Sequence, residues 1–230
     1  MSKSAQPLIS VIMSTYNNSG SLEASIKSIL NQTYENIELL VIDDGSKDDT
    51  REIIKKLKEK RLRPFQNRSN IGLTKSLNKL IPLSNGKYIA RQDDDDTSFP
   101  NRLEIQVKKL ENSKYKVCTS RATKKGSDKK IPGLSYYLPS KLIMKIKNPH
   151  IHGTLLIEKN CLNEIGMYDE NFYYAQDYKL FSDLTKRQIP ILKIKQPLYE
   201  LNTEDNISTK YVDKQNYYAD CVQKNLIPNS

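Results

Sequence analysis

Two short, almost unbroken apolar runs, Leu8–Met13 (LISVIM) and Ile37–Asp43 (IELLVID), have the form of strands buried on both faces. Between them Leu22, Ile26, Ile29 and Leu30 recur at helical spacing. The stretch GSKDDTREIIKKLKEK then predicts a helix with Ser46 as N-cap, Asp49 three residues on, and Ile53, Ile54 and Leu57 as the buried stripe. Asp48 and Asp49 suit the positive end of that helix. A weaker strand around Arg63–Asn67, a helix over Leu73–Leu83, a turn at Ser84–Asn85–Gly86 and a strand around Lys87–Arg91 continue the alternation. Strand and helix in turn predict a right-handed parallel sheet with helices on both faces.

Beyond Arg91 the pattern changes. Pro100 stands where a helix would start, with Leu103, Ile105, Val107 and Leu110 as its apolar positions to about Asn112. Residues 121–135 (RATKKGSDKKIPGLS) have loop composition and are the expected mobile loop. A short helix is expected over Ser140–Lys147 with Leu142, Ile143 and Ile146 on one side. A strand near Thr154–Ile157, a helix from Gln176 to Arg187 and a strand near Ile191–Ile194 complete a less regular second half, and there is no internal repeat. The tail, 210–230, with Tyr211, Tyr217 and Tyr218, is open to packing on the domain, on another subunit or on a membrane.

Composition sharpens this picture in two places. The 230 residues, 37% hydrophobic and 28% charged, suit one sizeable folded α/β domain. No apolar run approaches the roughly 18 residues of a membrane span, and LISVIM lacks signal-peptide flanks, so a cytoplasmic location is expected. Cys118, Cys161 and Cys221 match no metal or CxxC spacing and are read as reduced thiols. The formal net charge of +10 is uneven: residues 113–150 hold ten bases and one acid, Asp128. That segment suits an anionic membrane surface, a phosphate-bearing molecule or nucleic acid, or is a solvated loop. No aromatic-basic motif of a nucleic-acid module accompanies it, and nucleic acid is not the expected partner.

Against that background ARQDDDDTSFP (Ala90–Pro100) sets four consecutive carboxylates after a buried strand. In an extended segment Asp93 and Asp95 would point one way and Asp94 and Asp96 the other. Two carboxylates on one face, at the strand end where open α/β sheets bind ligands, repel unless a cation joins them. Mg²⁺ or Mn²⁺ would use one or two such carboxylates and bridge to a diphosphate. A helix-capping or solvated turn is the plainer reading. A calcium loop counted from Asp93 fails, because Ser98 stands where Gly is needed. SNGK at Ser84–Lys87 lacks the first Gly and the final Ser/Thr of a P-loop.

Six segments taken in order resemble family 2 glycosyltransferases of the nucleotide-sugar-dependent GT-A fold. They are PLISVIMSTYN (Pro7–Asn17), SIKSILNQTYENIELLVIDDGSKDDT (Ser25–Thr50), NIGLTKSLNK (Asn70–Lys79), GKYIARQDDDDTSFPNRLE (Gly86–Glu104), NPHIHGT (Asn148–Thr154) and GMYDENFYYAQDYKL (Gly166–Leu180). The resemblance implies an α/β GT-A fold: a Rossmann-like, mostly parallel sheet with helices on both faces and a less regular acceptor-binding C-terminal half. It implies a nucleotide-sugar-binding half over 1–112, an acceptor-binding half over 113–200 and a tail over 201–230.

The same resemblance assigns roles. Thr15, Tyr16 and Asn17 would lie at the nucleotide, and Asp44, with Asp43 beside it, would accept a hydrogen bond from uracil. Asp93 and Asp95 match the DxD motif whose metal, Mg²⁺ or Mn²⁺, grips the donor diphosphate; Asp94 would contact the donor. Lys75 is a candidate for a phosphate. Asp177 would be the general base of an inverting transfer, worth about 10²–10⁴-fold. Gln176 stands where the family has Glu, and LYELNTEDNIS (Leu198–Ser208) lacks the Arg and His that many relatives carry there. His152 is a candidate contact to acceptor or donor sugar.

The implied function is transfer of a sugar, hexosyl or N-acetylhexosaminyl, from a UDP-sugar to a glycan or lipid-linked acceptor in polysaccharide or glycoconjugate biosynthesis. Peripheral contact with the inner membrane face is the expectation for the basic segment. The alternative is a catalytically impaired protein of the same fold that only binds nucleotide or glycan. A nucleotidyltransferase would share sheet, nucleotide and metal, but the sequence offers no Gly-rich loop for a triphosphate.

Overall fold

The computed structural model describes residues 6–203 and 211–229. β1 (Ile9–Thr15), β2 (Ile37–Asp43), β3 (Leu62–Gln66) and β4 (Tyr88–Arg91) lie parallel in the order β3-β2-β1-β4. Crossover helices α1 (Leu22–Leu30), α2 (Thr50–Lys56) and α3 (Leu73–Leu83) join them. The continuous apolar runs follow from the strand period of two. Ile9, Val11 and Met13 of β1, with Leu39 and Val41 of β2, pack on Leu22, Ile26 and Ile29 of α1. Ile12, Leu40 and Ile42 face the opposite way, onto Leu77, Leu80 and Ile81 of α3. Each buried side chain of this kind contributes about 1.5–3 kcal/mol, so both faces fix the register.

The sheet continues through β8 (Leu156–Glu158), β6 (Val117–Lys124), β9 (Ile191–Leu201) and β5 (Thr97–Ser98), with β7 (Ser127–Ile131) on β6. Here antiparallel pairs enter: β8 runs against β4 and β6, β5 against β9, and β7 against β6, while β9 is parallel to β6. The sheet is therefore mixed, parallel through its first four strands and again between β6 and β9. α4 (Arg102–Glu111) joins the α1 face; α6 (Lys159–Glu164), α7 (Gln176–Lys186) and α8 (Val212–Lys224) cover the α3 face. α5 (Ser140–Ile143) is a single short turn at the periphery.

Four expectations change. Residues 121–135 are not a loop throughout: β6 and β7 form a hairpin turning at Gly126, whose φ is 70°. Ser127, Asp128, Lys129 and Lys130 of β7 are exposed on both faces, so no apolar alternation marks the strand. Ser46 is not the N-cap of α2, which begins at Thr50 after Asp49; Ser46 Oγ instead accepts a hydrogen bond from the Asn17 amide. Leu142 and Ile146 do not share the buried side of Ile143; both are exposed. β9 runs to Leu201 rather than ending at Ile194, because its second half pairs with the hairpin strand and β5. The tail helix α8 packs back on the domain through Cys221 and Val222; residues 204–210 of the tail lie outside the described residues. Among the described residues no helix is long and apolar enough to cross a membrane.

A fully buried cation sits at the joint between β4 and α4. Arg102 has no ion pair among the described residues, yet its guanidinium donates throughout: Nε to Gln106 Oε1 (3.1 Å), Nη1 to Gln92 Oε1 (3.1 Å) and Ser98 Oγ (2.7 Å), Nη2 to the Arg91 carbonyl (2.7 Å). The Tyr199 ring lies 5.2 Å from it. Burial lowers its pKa to about 10, which leaves it charged at neutral pH. Arg102→Met would strand several buried acceptors and is expected to cost roughly 3–5 kcal/mol. Urea unfolding reads this directly; a loss below about 1 kcal/mol would show that the network is dispensable.

Candidate active site

The carboxylates leave the sheet at the C-terminal end of β4, the ligand-binding end of a parallel sheet. They do not alternate as an extended strand would, because residues 94–95 form a turn. The turn is tied from beneath. Ser25 Oγ donates to the Asp93 carbonyl (2.6 Å), Gln92 Nε2 donates to the Asp93 and Asp96 carbonyls (3.0 Å each), and the Asp93 amide donates to Tyr199 Oη (3.1 Å). Gly153 lets Tyr199 come this close: a Cβ at position 153 would stand 2.3 Å from Tyr199 Oη.

The four side chains then divide. Asp93 pairs with Arg91, itself 1% exposed, and Asp96 is buried with Oδ1 accepting the Asn202 amide at 2.7 Å. Burial, then the charge of Asp93 and Asp95, pushes Asp96 up to about 9, so it is neutral at pH 7. Burial, then repulsion from Asp93 and Asp94, pushes Asp95 up to about 7; burial also raises Asp94. Crowded carboxylates of this kind favour a nearby cation.

The ends of β1 and β2 lie beside this turn. Thr15 and Asp43 are register partners, both buried, and Tyr16 is 43% exposed just past β1. Asp43 Oδ1 accepts the Ser46 amide (2.9 Å), while its Oδ2 is buried with no hydrogen bond among the described residues. Asn17 takes a left-handed backbone (φ 50°) and bridges the two loops, with Oδ1 accepting the Lys47 amide at 2.8 Å. Asp44 also holds the chain beside it. Buried, it accepts hydrogen bonds from Asn67 Nδ2 (2.8 Å), the Ile71 amide (3.0 Å) and the Gly72 amide (2.9 Å), fixing the loop that enters α3. Oδ1 accepts two of these donors and Oδ2 one. Gly72 (φ 91°) lies under the Tyr173 ring, where a Cβ would come within 2.5 Å. Tyr173 is in electrostatic reach of Asp44 and Tyr16. Lys75 is exposed and lines a separate groove of about 610 Å³ with Phe65, Asn67 and Lys79, away from the acidic turn.

Asp177 sits in the first turn of α7, preceded by Ala175 in the left-handed region (φ 52°). Such strain in a non-glycine residue costs of order 1–3 kcal/mol and clusters at functional sites. Asn148 Nδ2 donates to Asp177 Oδ2 at 2.8 Å. Burial foremost, with the charge of Asp93, raises the Asp177 carboxyl, while the Tyr178 amide and Asn148 oppose the rise. Asp93 and Asp177 thus share one field. Tyr168 feels both charges, and His152 Nε2 meets its Oη at 2.8 Å; burial, then Arg91, lowers His152 to about 3, so the ring is neutral. α3 clamps the segment before α7, with Asn78 bonded to both the carbonyl and the amide of Tyr168 and Thr74 Oγ1 donating to the Phe172 carbonyl. Gln176 flanks Asp177 half-buried.

Tested against a divalent cation, the residues fit. Among the described residues no group of three or more His, Cys, Asp or Glu is gathered as a complete ligand set. Asp93 and Asp95, crowded at one turn, would supply the one or two carboxylates that Mg²⁺ or Mn²⁺ takes when diphosphate and water complete its shell. Sequence reasoning missed Asn148, Tyr168 and Arg91, although all three fall within the quoted family-like segments. Arg102, which holds the turn from below, also falls within one of those segments but reads there as an ordinary helix cation; Tyr199 lies outside them, and only folding brings it to the turn.

Residues 10–163 match the family model described as glycosyl transferase family 2. An uncharacterized glycosyltransferase of Haemophilus influenzae is 32% identical, the alignment covering 92% of this chain and 74% of that protein. The putative glycosyltransferase EpsE of Bacillus subtilis is 36% identical over 70% of this chain and 60% of its own length. The Escherichia coli UDP-Glc:alpha-D-GlcNAc-diphosphoundecaprenol beta-1,3-glucosyltransferase WfaP is 36% identical over 46% of this chain and 43% of its own length. Among solved structures, residues 1–349 of S. aureus TarS in complex with UDP-GlcNAc superpose with a TM-score of 0.75 at 20% identity, covering 88% of this chain and 60% of that one. The mannosyltransferase PcManGT from Pyrobaculum calidifontis, in complex with GDP-Man and Mn²⁺, gives 0.73 at 17% identity, with 93% and 62% covered. The likeness to these structures establishes a shared α/β fold, and the family match together with the Haemophilus and Bacillus relatives establishes that the chain belongs to family 2 of the glycosyltransferases.

Proposed function

We propose that the chain transfers a sugar from a UDP-sugar to a hydroxyl of a glycan or lipid-linked acceptor, with inversion at the anomeric carbon. The observation that carries this reading is the meeting of two acidic centres, Asp93 of the acidic turn and Asp177, whose carboxyl is raised by burial and by Asp93. Thr15, Tyr16, Asn17 and Asp43 would receive the nucleoside at the ends of β1 and β2, and the unpaired Asp43 Oδ2 is a ready acceptor for a base N–H. Asp93 and Asp95 would hold Mg²⁺ or Mn²⁺, whose chemistry is Lewis-acid stabilisation of the departing diphosphate. Asp94, at the same turn, would contact the donor sugar.

Asp177 would accept the proton of the acceptor hydroxyl as its oxygen attacks, with Asn148 orienting the carboxylate from Oδ2. His152, neutral and bonded to Tyr168, offers a hydrogen bond rather than a charge. Residues 1–112 would thus carry the donor and 113–200 the acceptor, with 201–230 as tail. WfaP, by its name, acts on a diphosphoundecaprenol-linked sugar, which supports a lipid-linked acceptor in polysaccharide or glycoconjugate synthesis. The Mn²⁺ in the PcManGT complex supports the metal.

Asp177→Asn is expected to reduce UDP release about 10²–10⁴-fold while leaving the UDP-dependent rise in thermal midpoint intact. Turnover within about tenfold of wild type would remove Asp177 from the chemistry, and nucleotide binding without turnover in the wild type, across donors and acceptors, would favour the binding-only alternative. Chelation of divalent metal, or Asp95→Asn, should abolish turnover; full activity in EDTA would contradict the metal assignment. The pH profile has a definite sign. Activity needs the Asp177 carboxylate, so kcat/KM falls as pH drops through its raised pKa. Asn148→Ala, which removes a hydrogen bond favouring the charged form, should move that acidic limb to higher pH. A limb unmoved or shifted to lower pH would show that another group sets it.

A further inference from the structure

Residues 134–147 carry a second feature that sugar transfer does not require. Tyr136, Ile143 and Met144 anchor this stretch in the interior. Leu134, Leu138, Leu142 and Ile146, spaced four apart, point out of it at 86%, 50%, 61% and 69% exposure, with Tyr137 at 50%. Among and beside them Lys141, Lys145 and Lys147 are exposed, and none forms an ion pair among the described residues. Lys195 lies over the Tyr137 ring at 5.6 Å, and Arg121 holds Tyr137 Oη at 3.1 Å. No acidic residue occurs between Asp128 and Glu158. Large exposed apolar side chains framed by unpaired lysines are unfavourable in water and suit an interface that is apolar within and anionic at its rim.

We infer that Leu134, Leu138, Leu142 and Ile146, with the lysines around them, form a docking surface for a bilayer containing anionic phospholipid. The apolar side chains enter the boundary between headgroup and acyl region, and the lysines meet the phosphates. A second copy of the chain is the poorer occupant, because it would bring two strongly basic segments together. The surface is continuous with the candidate active site. Tyr178 Oη of α7 donates to the Met144 carbonyl at 2.7 Å, and Asn148, the partner of Asp177, follows Ile146 by two residues. Docking there would present Asp177 toward a lipid-anchored acceptor. Only this last consequence rests on the proposed function; the docking itself does not.

Sedimentation of the full chain with vesicles of phosphatidylcholine alone, or with about 30% phosphatidylglycerol added, tests the proposal. Expected is partition onto the anionic vesicles only, weakened by salt, and reduced at least about tenfold in both Leu142→Glu/Ile146→Glu and Lys141→Ala/Lys145→Ala. All four positions are exposed, so the thermal midpoint and UDP release with a soluble acceptor should stay at wild-type values even where vesicle binding is lost. Vesicle binding therefore succeeds or fails independently of turnover. Absence of wild-type binding to anionic vesicles, equal binding by the Leu142→Glu/Ile146→Glu protein, or a dimer that this variant dissolves while vesicles are ignored would overturn the proposal.

Discussion

The constraint on which this structure turns is the crowding of four carboxylates at the end of one buried strand. Left alone, such a turn would repel itself apart or protonate. The fold answers with a buried, neutral Asp96 and two buried guanidiniums. Arg91 pairs with Asp93, and Arg102, with no carboxylate of its own, saturates Gln92, Ser98 and the Arg91 carbonyl beneath the turn. Tyr199 reaches in from β9 through the space left by Gly153, and Asn202 receives Asp96. Strand β9 therefore extends past its sequence-predicted end because its far half is part of the acidic turn's support.

The same economy organises the second centre. α3 is an ordinary amphipathic helix by sequence, yet its polar face does positional duty: Asn78 and Thr74 clamp the segment that delivers Asp177, while Asp44 and Asn67 clamp the loop that starts the helix. The loop after β3 and the segment before α7 are thus held by one element, α3. A buried polar network of this type is costly when half-satisfied and specific when complete. The unpaired Asp43 Oδ2 and the strained Ala175 are exceptions, and both lie where a ligand or reacting group would be placed.

Much of the fold was legible because its first half obeys simple periods. β2 and α3 coincide with the expected bounds, and the apolar runs of β1 and β2 split cleanly between two faces. The hairpin β6–β7 was not legible, since a strand solvated on both sides has no hydrophobic alternation to betray it. Leu142 and Ile146 misled for the converse reason: apolar residues at helical spacing were taken as a core stripe, and they face outward. In the candidate site, Asp93, Asp95 and Asp177 were readable as positions within family-like segments. Asp44 was readable as a position too, but its hydrogen bonds to the loop that starts α3 were not, since they depend on Asn67, Ile71 and Gly72 brought near by folding. Arg102 and Tyr199 could not be found, since a buried arginine without a carboxylate looks in sequence like any surface cation.

In the proposed reaction the acidic turn and Asp177 serve one centre built around a metal-held diphosphate. A crystal structure with UDP and Mn²⁺, with the ion located by its anomalous scattering, decides this. Expected are an ion at Asp93 and Asp95, the uracil over the ends of β1 and β2, and the terminal phosphate on the side facing Asp177. An ion bound elsewhere, or UDP lodged in the groove beside Lys75 and Lys79, would contradict it.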